Sequence, residues 1–107
     1  LITDDGLKAL ENLEELEELS LGWCRLISDN GVDILTSQYG RSQRLRVLSL
    51  ARCPITDTGA EYLARLQSLE ELDINGCSSI GSYALGRAFS KMTKLTTLDV
   101  SYCPGVL

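Results

Sequence analysis

The chain has 107 residues, of which 44% are apolar and 23% are charged, with a formal net charge of −5 and no histidine. The apolar share is that of a folded soluble unit, and no apolar run approaches the roughly 20 residues that a membrane-spanning helix needs. The acidic balance argues against a general nucleic-acid binder, which carries a dominant basic face. We therefore expect neither a nucleic acid nor a membrane as partner. Arginines outnumber acidic residues over residues 24–65, which leaves an acidic peptide or a phosphate group open as a partner.

One repeated block organises the chain. Its pattern is Leu-x-x-Leu-x-Leu-x-x-Cys, with Ile or Val replacing the third leucine in the last two copies, and successive copies begin 29, 24 and 26 residues apart. The copies begin at Leu16, Leu45, Leu69 and Leu95 and end at Cys24, Cys53, Cys77 and Cys103. A unit of this length must bury its apolar edge against the next unit, so the spacing predicts a stacked, curved solenoid.

Each repeat is predicted to hold a short strand, a turn at the cysteine and then a helix. Apolar and variable residues alternate in stretches such as Glu18-Leu19-Ser20-Leu21, which is the period of a half-buried strand. A helix-start phrase of Ser or Thr followed by Asp opens the chain at Thr3-Asp4 and recurs at Ser28-Asp29 and Thr56-Asp57. The last copy reads Gly81-Ser82 instead, so its cap should be weaker or shifted.

A small residue stands two positions after each aspartate position. These residues are Gly6, Gly31, Gly59 and Ala84. Glycine costs about 1 kcal/mol of helix propensity relative to alanine, so packing must repay it. We expect the small side chain to let each helix approach the strand layer closely.

Two stretches depart from the regular pattern. Leu10, Leu13, Leu16 and Leu19 stand among glutamates and suggest a coiled-coil helix, but sustained heptads are absent. The repeat frame instead ends a helix at Leu10, places Leu13 in a turn and opens a strand approach at Leu16. The first repeat is longer than the others. The insertion Tyr39-Gly40-Arg41-Ser42-Gln43-Arg44 lies between its helix and the next strand and predicts a basic loop.

The cysteines are predicted to be structural thiols. All four recur just after a strand, which stacks them along the solenoid interior, and the sequence has neither a C-x-x-C pair nor a histidine. We expect no metal and no cofactor. Reduced thiols indicate an intracellular protein, cytoplasmic or nuclear.

The sequence offers no catalytic constellation. The commonest general base is missing with histidine, and no phosphate-binding glycine loop or nucleophile elbow is present. The acidic pairs Glu14-Glu15 and Glu17-Glu18 are interpreted as surface positions of a strand approach. Binding, and not enzymatic chemistry, is the expected activity.

The strand residues that face away from the core are the candidate protein-binding surface, because solenoids bind along that extended face. Two columns across the repeats and the strand exits supply the candidates Glu18, Ser20, Trp23, Val47, Ser49, Arg52, Glu71, Asp73, Asn75, Thr97, Asp99 and Tyr102. Trp23, Arg52 and Tyr102 share one repeat position and are residue types enriched at interface hot spots. Alternatively, the two aromatics cover the edge of the core or contact further repeats.

The phrase Cys-x-x-Ile-Ser/Thr-Asp-x-Gly, joined to Leu-x-x-Leu-x-Leu, resembles the cysteine-containing class of leucine-rich repeats. That class is best known from leucine-rich F-box proteins, the substrate-recognising subunits of ubiquitin ligases. The resemblance covers essentially the whole chain, although Cys53-Pro54-Ile55 is one residue shorter than the family phrase. It implies an α/β fold, a right-handed horseshoe with parallel strands on the concave face and helices on the convex face.

The resemblance implies a protein–protein interaction module that holds a protein substrate for an F-box ubiquitin ligase through the concave face. Two alternatives remain: a scaffold without a ligase role, and a regulator that inserts Arg52 or Asn75 into the site of a partner enzyme. Residues 1–107 are expected to be about four repeats of a longer array. Neither end of the chain carries a polar capping repeat, so contacts with further repeats or neighbouring chains are also expected.

Overall fold

The computed structural model describes residues 2–12, 15–37 and 44–104. The predicted turn at Leu13 and the predicted basic loop, apart from Arg44, lie outside the described residues. No helix in the described part of the chain is long and apolar enough to cross a membrane.

Helices and short strands alternate along the chain, as predicted. The strands are β1 (Glu18–Ser20), β2 (Val47–Ser49), β3 (Glu71–Asp73) and β4 (Thr97–Asp99). The α-helices are α1 (Asp29–Ser37), α2 (Asp57–Leu63) and α3 (Ser82–Phe89), preceded by a 3-10 helix over Asp5–Asn12. The four strands form one parallel sheet in chain order, which confirms the predicted α/β solenoid of stacked repeats.

The core lies between the sheet and the helices, and it is lined by the leucines of the repeated block. Leu48 and Leu72 are only 1% and 2% exposed and stand directly opposite each other in the sheet, while their strand neighbours face outward. Leu98, in the same register on the outermost strand, is 36% exposed. The alternation read from the sequence is therefore confirmed, and burial falls off at the edge of the sheet.

The cysteines form a ladder through the core. The thiol of Cys53 donates to the carbonyl oxygen of Leu21 at 3.1 Å, and Cys77 donates to that of Leu50 at 3.3 Å. Both bonds join one repeat to the preceding one, and all four cysteines are free thiols. Burial raises the pKa of Cys53 and raises the pKa of Cys77 to about 12, so both stay protonated as donors.

The aspartates of the helix-start phrases also join repeats. Asp4 accepts hydrogen bonds from the backbone N–H of Ser28 at 2.8 Å and from the Ser28 hydroxyl at 2.6 Å. Asp29 accepts in the same way from the backbone N–H and the hydroxyl of Thr56. The phrase therefore places the carboxylate on the start of the next repeat, a role beyond the predicted local one of a negative charge at a helix N-terminus.

The last phrase departs from this arrangement as the sequence predicts. Thr56 caps α2 by accepting from the backbone N–H of Thr58, whereas Gly81 caps α3 without any side-chain hydrogen bond. The Gly81 N–H still donates to Asp57 at 2.7 Å, so the link to the preceding repeat survives. The predicted weakness of this cap is confirmed.

The expected reason for the small residues is wrong in part. A Cβ on Gly31 would collide with the carboxylate of Asp4, and a Cβ on Gly59 would collide with that of Asp29. The room is thus taken by the aspartate of the preceding repeat and, at Gly59, also by Cγ2 of the buried Ile55, so close packing against the core contributes as well. Glycine at positions 31 and 59 leaves room for the aspartate carboxylate to accept from the backbone N–H at the start of the next repeat.

We expect Leu48→Ala and Leu72→Ala each to lower the free energy of unfolding of the full-length protein by about 2–5 kcal/mol, because each leaves a cavity in a close-packed core. Leu98→Ala is the matched control at the same register position. Its partial exposure predicts a loss below about 2 kcal/mol. Chemical denaturation checks this order, and equal losses at all three positions would contradict the register.

We expect Gly59→Ala to destabilise the protein by about 1 kcal/mol or more, because the new methyl group collides with the Asp29 carboxylate, which bonds Thr56, and with the buried side chain of Ile55. Gly86→Ala in α3 is the control, since no atom lies within 4 Å of a Cβ built there. That variant should gain about 0.5–1 kcal/mol from helix propensity alone. Opposite signs in thermal denaturation are the expected result, and a shared sign is not compatible with the packing described.

Candidate protein-binding site

The outward-facing residues of the four strands line a groove of about 500 Å³, called here the sheet groove. The predicted strand-face candidates that line it are Glu18, Ser20, Val47, Ser49, Glu71, Asp73, Thr97 and Asp99. The strand register aligns them in the two predicted columns, one running from Glu18 to Thr97 and the other from Ser20 to Asp99. The structure therefore brings these candidates together on one face.

Carboxylates dominate the end of the groove where β3 and β4 stop. Asp73 accepts from the backbone N–H of Asn75 at 2.9 Å, and Asp99 accepts from that of Ser101 at 2.9 Å. The second oxygen of Asp73 accepts from the Ser49 hydroxyl at 3.3 Å. Each aspartate thus bonds the backbone two residues on, a turn that fixes the direction of its side chain.

Hydrogen bonds favour the ionised form of Asp99 at this end of the groove. The Ser101 side chain, the Ser101 backbone N–H and the Asn75 side chain together hold the pKa of Asp99 below its ordinary value of 3.8. Asp99 is therefore ionised throughout the neutral range. Asn75, a predicted candidate at the strand exit, thus supports the carboxylate of the neighbouring strand.

The opposite end of the groove, where the strands begin, holds an arginine among several glutamates. Arg46 precedes β2, and its guanidinium lies 3.4 Å from Glu17, 3.7 Å from Glu18 and 3.9 Å from Glu70. Exposed ion pairs of this kind contribute little to stability, at most about 1 kcal/mol each. Arg46 therefore offsets only part of the negative charge of these glutamates. Sequence reasoning missed Arg46, although its place next to a strand and opposite a glutamate was a usable signal.

Trp23, Arg52 and Tyr102 follow β1, β2 and β4 at one repeat position, and we call them the aromatic–arginine ridge. All three have left-handed backbone conformations, with φ of 66°, 64° and 58°. The corresponding residue after β3 is Gly76, with φ 74°. The turn is anchored by backbone bonds between repeats, for example from the Arg52 N–H to the carbonyl of Asn75 at 2.7 Å.

The Arg52 guanidinium lies between the two aromatic rings of the ridge. Its Cζ atom is 5.0 Å from the centroid of the Trp23 ring and 5.3 Å from that of Tyr102. Gly76 makes this reach possible, because a Cβ there would collide with the Arg52 side chain. The three predicted rim residues are therefore in one stack that spans all four repeats.

The two aromatic rings of the ridge are exposed. Trp23 is 70% and Tyr102 is 74% accessible to solvent, so within the described residues they do not cover the edge of the core. Exposed cation–π contacts contribute about 0.5–1 kcal/mol each. The ridge presents its aromatic surface outward beside the groove.

Metal chemistry finds no support in the described ranges. No group of three or more Cys, Asp or Glu side chains within residues 2–12, 15–37 and 44–104 is placed to hold a metal ion. The arrangement presents hydrogen-bonding, charged and aromatic groups on a rigid sheet, which is suited to binding a protein segment.

Comparison with known proteins identifies the class. Parallel strands, one helix per strand and a cysteine ladder define a solenoid of leucine-containing repeats, and a family model described as Leucine Rich repeat matches residues 14–33, 41–64 and 91–104. These ranges make up more than half of the chain. The chain belongs to the leucine-rich repeat family.

Two curated proteins are similar over nearly the whole chain. F-box/LRR-repeat protein 4 of Bos taurus is 39% identical over 106 residues, which cover 91% of this chain and 17% of that protein. A putative adenylate cyclase regulatory protein of Trypanosoma equiperdum is 32% identical over 102 residues, covering 95% of this chain and 15% of that protein. The chain thus spans about a sixth of the length of these relatives.

A solved structure shows the same fold. The C-terminal domain of tropomodulin from Caenorhabditis elegans superposes with a TM-score of 0.70 at 17% sequence identity, covering 96% of this chain and 66% of that chain. At this identity the likeness concerns the fold alone.

We expect Trp23→Gly to be more stable than Trp23→Ala by about 1 kcal/mol, because only glycine adopts the left-handed conformation without a Cβ penalty. Both variants lose the same ring and the same contact with Arg52, so their difference reports the backbone alone. Thermal denaturation of the two proteins measures it. An alanine variant as stable as the glycine variant would contradict the strained turn.

Proposed function

We propose that this chain binds a partner protein across the sheet groove and the aromatic–arginine ridge, and that in the whole protein it holds a substrate for an F-box ubiquitin ligase. One observation carries the binding role. Polar side chains from four successive strands stand in register beside two aromatic rings that are 70% and 74% exposed. Packing of the repeats sets the register, but it does not require two exposed aromatic rings beside it.

The mechanism is recognition by a rigid surface. The backbone of hydrogen-bonded strands is already ordered before a partner binds, so less of the interaction free energy is spent on ordering it. Buried aromatic and arginine anchors then supply most of the affinity, typically about 2 kcal/mol or more each, while rim charges supply less. The ridge is the source of such anchors in this chain.

The similarity to F-box/LRR-repeat protein 4 supports the ligase role, since this chain is 39% identical to it over 106 residues. Within such a protein, the repeats would select the substrate and the F-box, elsewhere in the whole protein, would connect it to the ligase. An intracellular location belongs to the same proposal, because ubiquitin ligases act inside the cell.

A second candidate is regulation of an enzyme, which the similarity to the trypanosomal regulatory protein favours. In that case the same surface would hold an enzyme and alter its turnover. Arg52 is the residue we would expect to act in the enzyme's site. Loss of turnover with retained binding in an Arg52→Ala variant is the result that separates regulation from scaffolding.

The test uses the full-length protein expressed in cells with a Glu71→Lys, Asp73→Lys groove variant. We expect the variant to keep its association with cullin-type ligase subunits. Ubiquitin on the proteins captured with the unsubstituted protein should fall by about tenfold or more, because the two lysines replace carboxylates that a partner in the groove would contact. Tyr83→Ser on α3 is the control, since that ring is 79% exposed on the helix layer. This control variant should retain both the ligase association and the ubiquitin on the captured proteins.

Two outcomes would redirect the proposal. Capture of the same partner without any ligase subunits would favour the scaffold or regulator role. Unchanged ubiquitylation by a folded groove variant would place binding outside the groove.

A further inference from the structure

Two arginines, Arg52 in the ridge and Arg25 near it in the sequence, differ from the other arginines of the described chain. Arg25 and Arg52 line a depression of about 360 Å³, together with Gly76 and the adjacent serines Ser78 and Ser79. The depression is distinct from the sheet groove, whose lining residues come from the strands.

Charge compensation sets these two arginines apart. The arginines with a carboxylate at ion-pair distance are Arg44, Arg46, Arg65 and Arg87. Within residues 2–12, 15–37 and 44–104, no carboxylate is that close to Arg25 or Arg52. Two uncompensated positive charges therefore share one depression on a protein whose net charge is −5.

The backbone supplies an independent sign that the ridge serves recognition. Trp23, Arg52 and Tyr102 all occupy a left-handed position that Gly76 occupies without strain in the remaining repeat. A left-handed conformation raises the free energy of a residue that has a side chain, but not that of glycine. Such strained positions cluster at functional sites. The exposed rings recover little of that cost by burial.

The geometry of Arg52 suits a carboxylate. The rings on either side restrict the guanidinium, while its N–H donors are not taken up by any described carboxylate. A guanidinium held in this way offers a planar fork that matches the two oxygens of a carboxylate. The Ser78 and Ser79 hydroxyls add polar groups to the same depression.

We propose that the depression and the aromatic–arginine ridge bind an acidic segment of the partner protein, whose Asp or Glu carboxylate pairs with Arg52 and Arg25. An apolar residue next to that carboxylate packs on the ring of Trp23 or Tyr102. This inference rests on the proposed function for the existence of a protein partner and adds the chemistry of the segment that is recognised. On an acidic protein, the two free arginines also fix where such a segment docks.

The test measures retention of random peptide libraries on immobilised full-length protein. Two libraries differ only in a fixed central pair, Glu-Glu in one and Gln-Gln in the other, and a third carries phosphoserine at that place. We expect the Glu-Glu library to be retained about tenfold better than the Gln-Gln library, with the preference falling as salt rises. The phosphoserine library should not be retained in preference to Glu-Glu.

Variants then locate the effect. Arg52→Gln should abolish the preference for the acidic library, and Arg25→Gln should reduce it. Arg87→Gln is the matched control, since Arg87 also lies over a tyrosine ring but is already paired with Glu61 at 3.6 Å. It should keep the full preference. Melting temperatures of all three variants establish that each is folded.

Three results would overturn the proposal. They are equal retention of the Glu-Glu and Gln-Gln libraries, a preference unchanged in folded Arg52→Gln, and retention of the phosphoserine library alone, which would assign a phosphoryl group instead. None of them bears on the groove variant and its ubiquitylation readout, so the failure of this inference is distinguishable from failure of the proposed function.

Discussion

Strands of three residues hold this molecule together only because each is fixed to the next in a single register. The parallel pairing of Leu48 with Leu72 is one constraint, and a slip by one residue would turn both side chains out to solvent. The thiol of Cys77, bonded to the preceding repeat inside the core, is a second. The carboxylate of Asp29, which accepts from the N-cap residue Thr56 of the next helix, is a third. Strand, core and helix layer therefore all specify the same stacking, and no single layer has to do so alone.

The candidate site is a consequence of that stacking. Because every strand ends at the same height, every strand exit makes the same left-handed turn, and the side chains carried there form a row. Three repeats use the row to display Trp23, Arg52 and Tyr102, and the repeat between the last two uses glycine. The missing side chain at Gly76 lets one guanidinium contact rings that belong to repeats on both sides. The ridge is thus one object built from four repeats, and it exists only while their register is kept.

Much of this could be predicted from the sequence, because a two-residue period within a block and a regular spacing between blocks determine which residues share a column. The alignment of Asp73 with Asp99 follows from those two periods. The direction of the Asp4 side chain does not, since the same carboxylate could have capped its own helix, and so the packing reason given for Gly31 was incomplete. The stacking of Arg52 between Trp23 and Tyr102 could not be predicted from the sequence either. It depends on a rotamer and on the space above Gly76, and neither leaves a pattern in the sequence.

Two relatives with the same repeats carry names that describe different roles, one an F-box/LRR-repeat protein and the other a regulator of adenylate cyclase. The residues that build the solenoid therefore do not determine function, which must reside in the side chains that the fold leaves free to vary. In this chain those side chains are divided by charge. Asp73 and Asp99 make the exit of the groove negative, while Arg25 and Arg52 are positive and have no carboxylate at ion-pair distance among the residues that the structure describes. A partner segment that crosses from groove to ridge would have to carry charges of opposite sign in that order. The order of the charges distinguishes the two ends of the surface. A segment with the matching order of charges would therefore bind better than one with the reverse order.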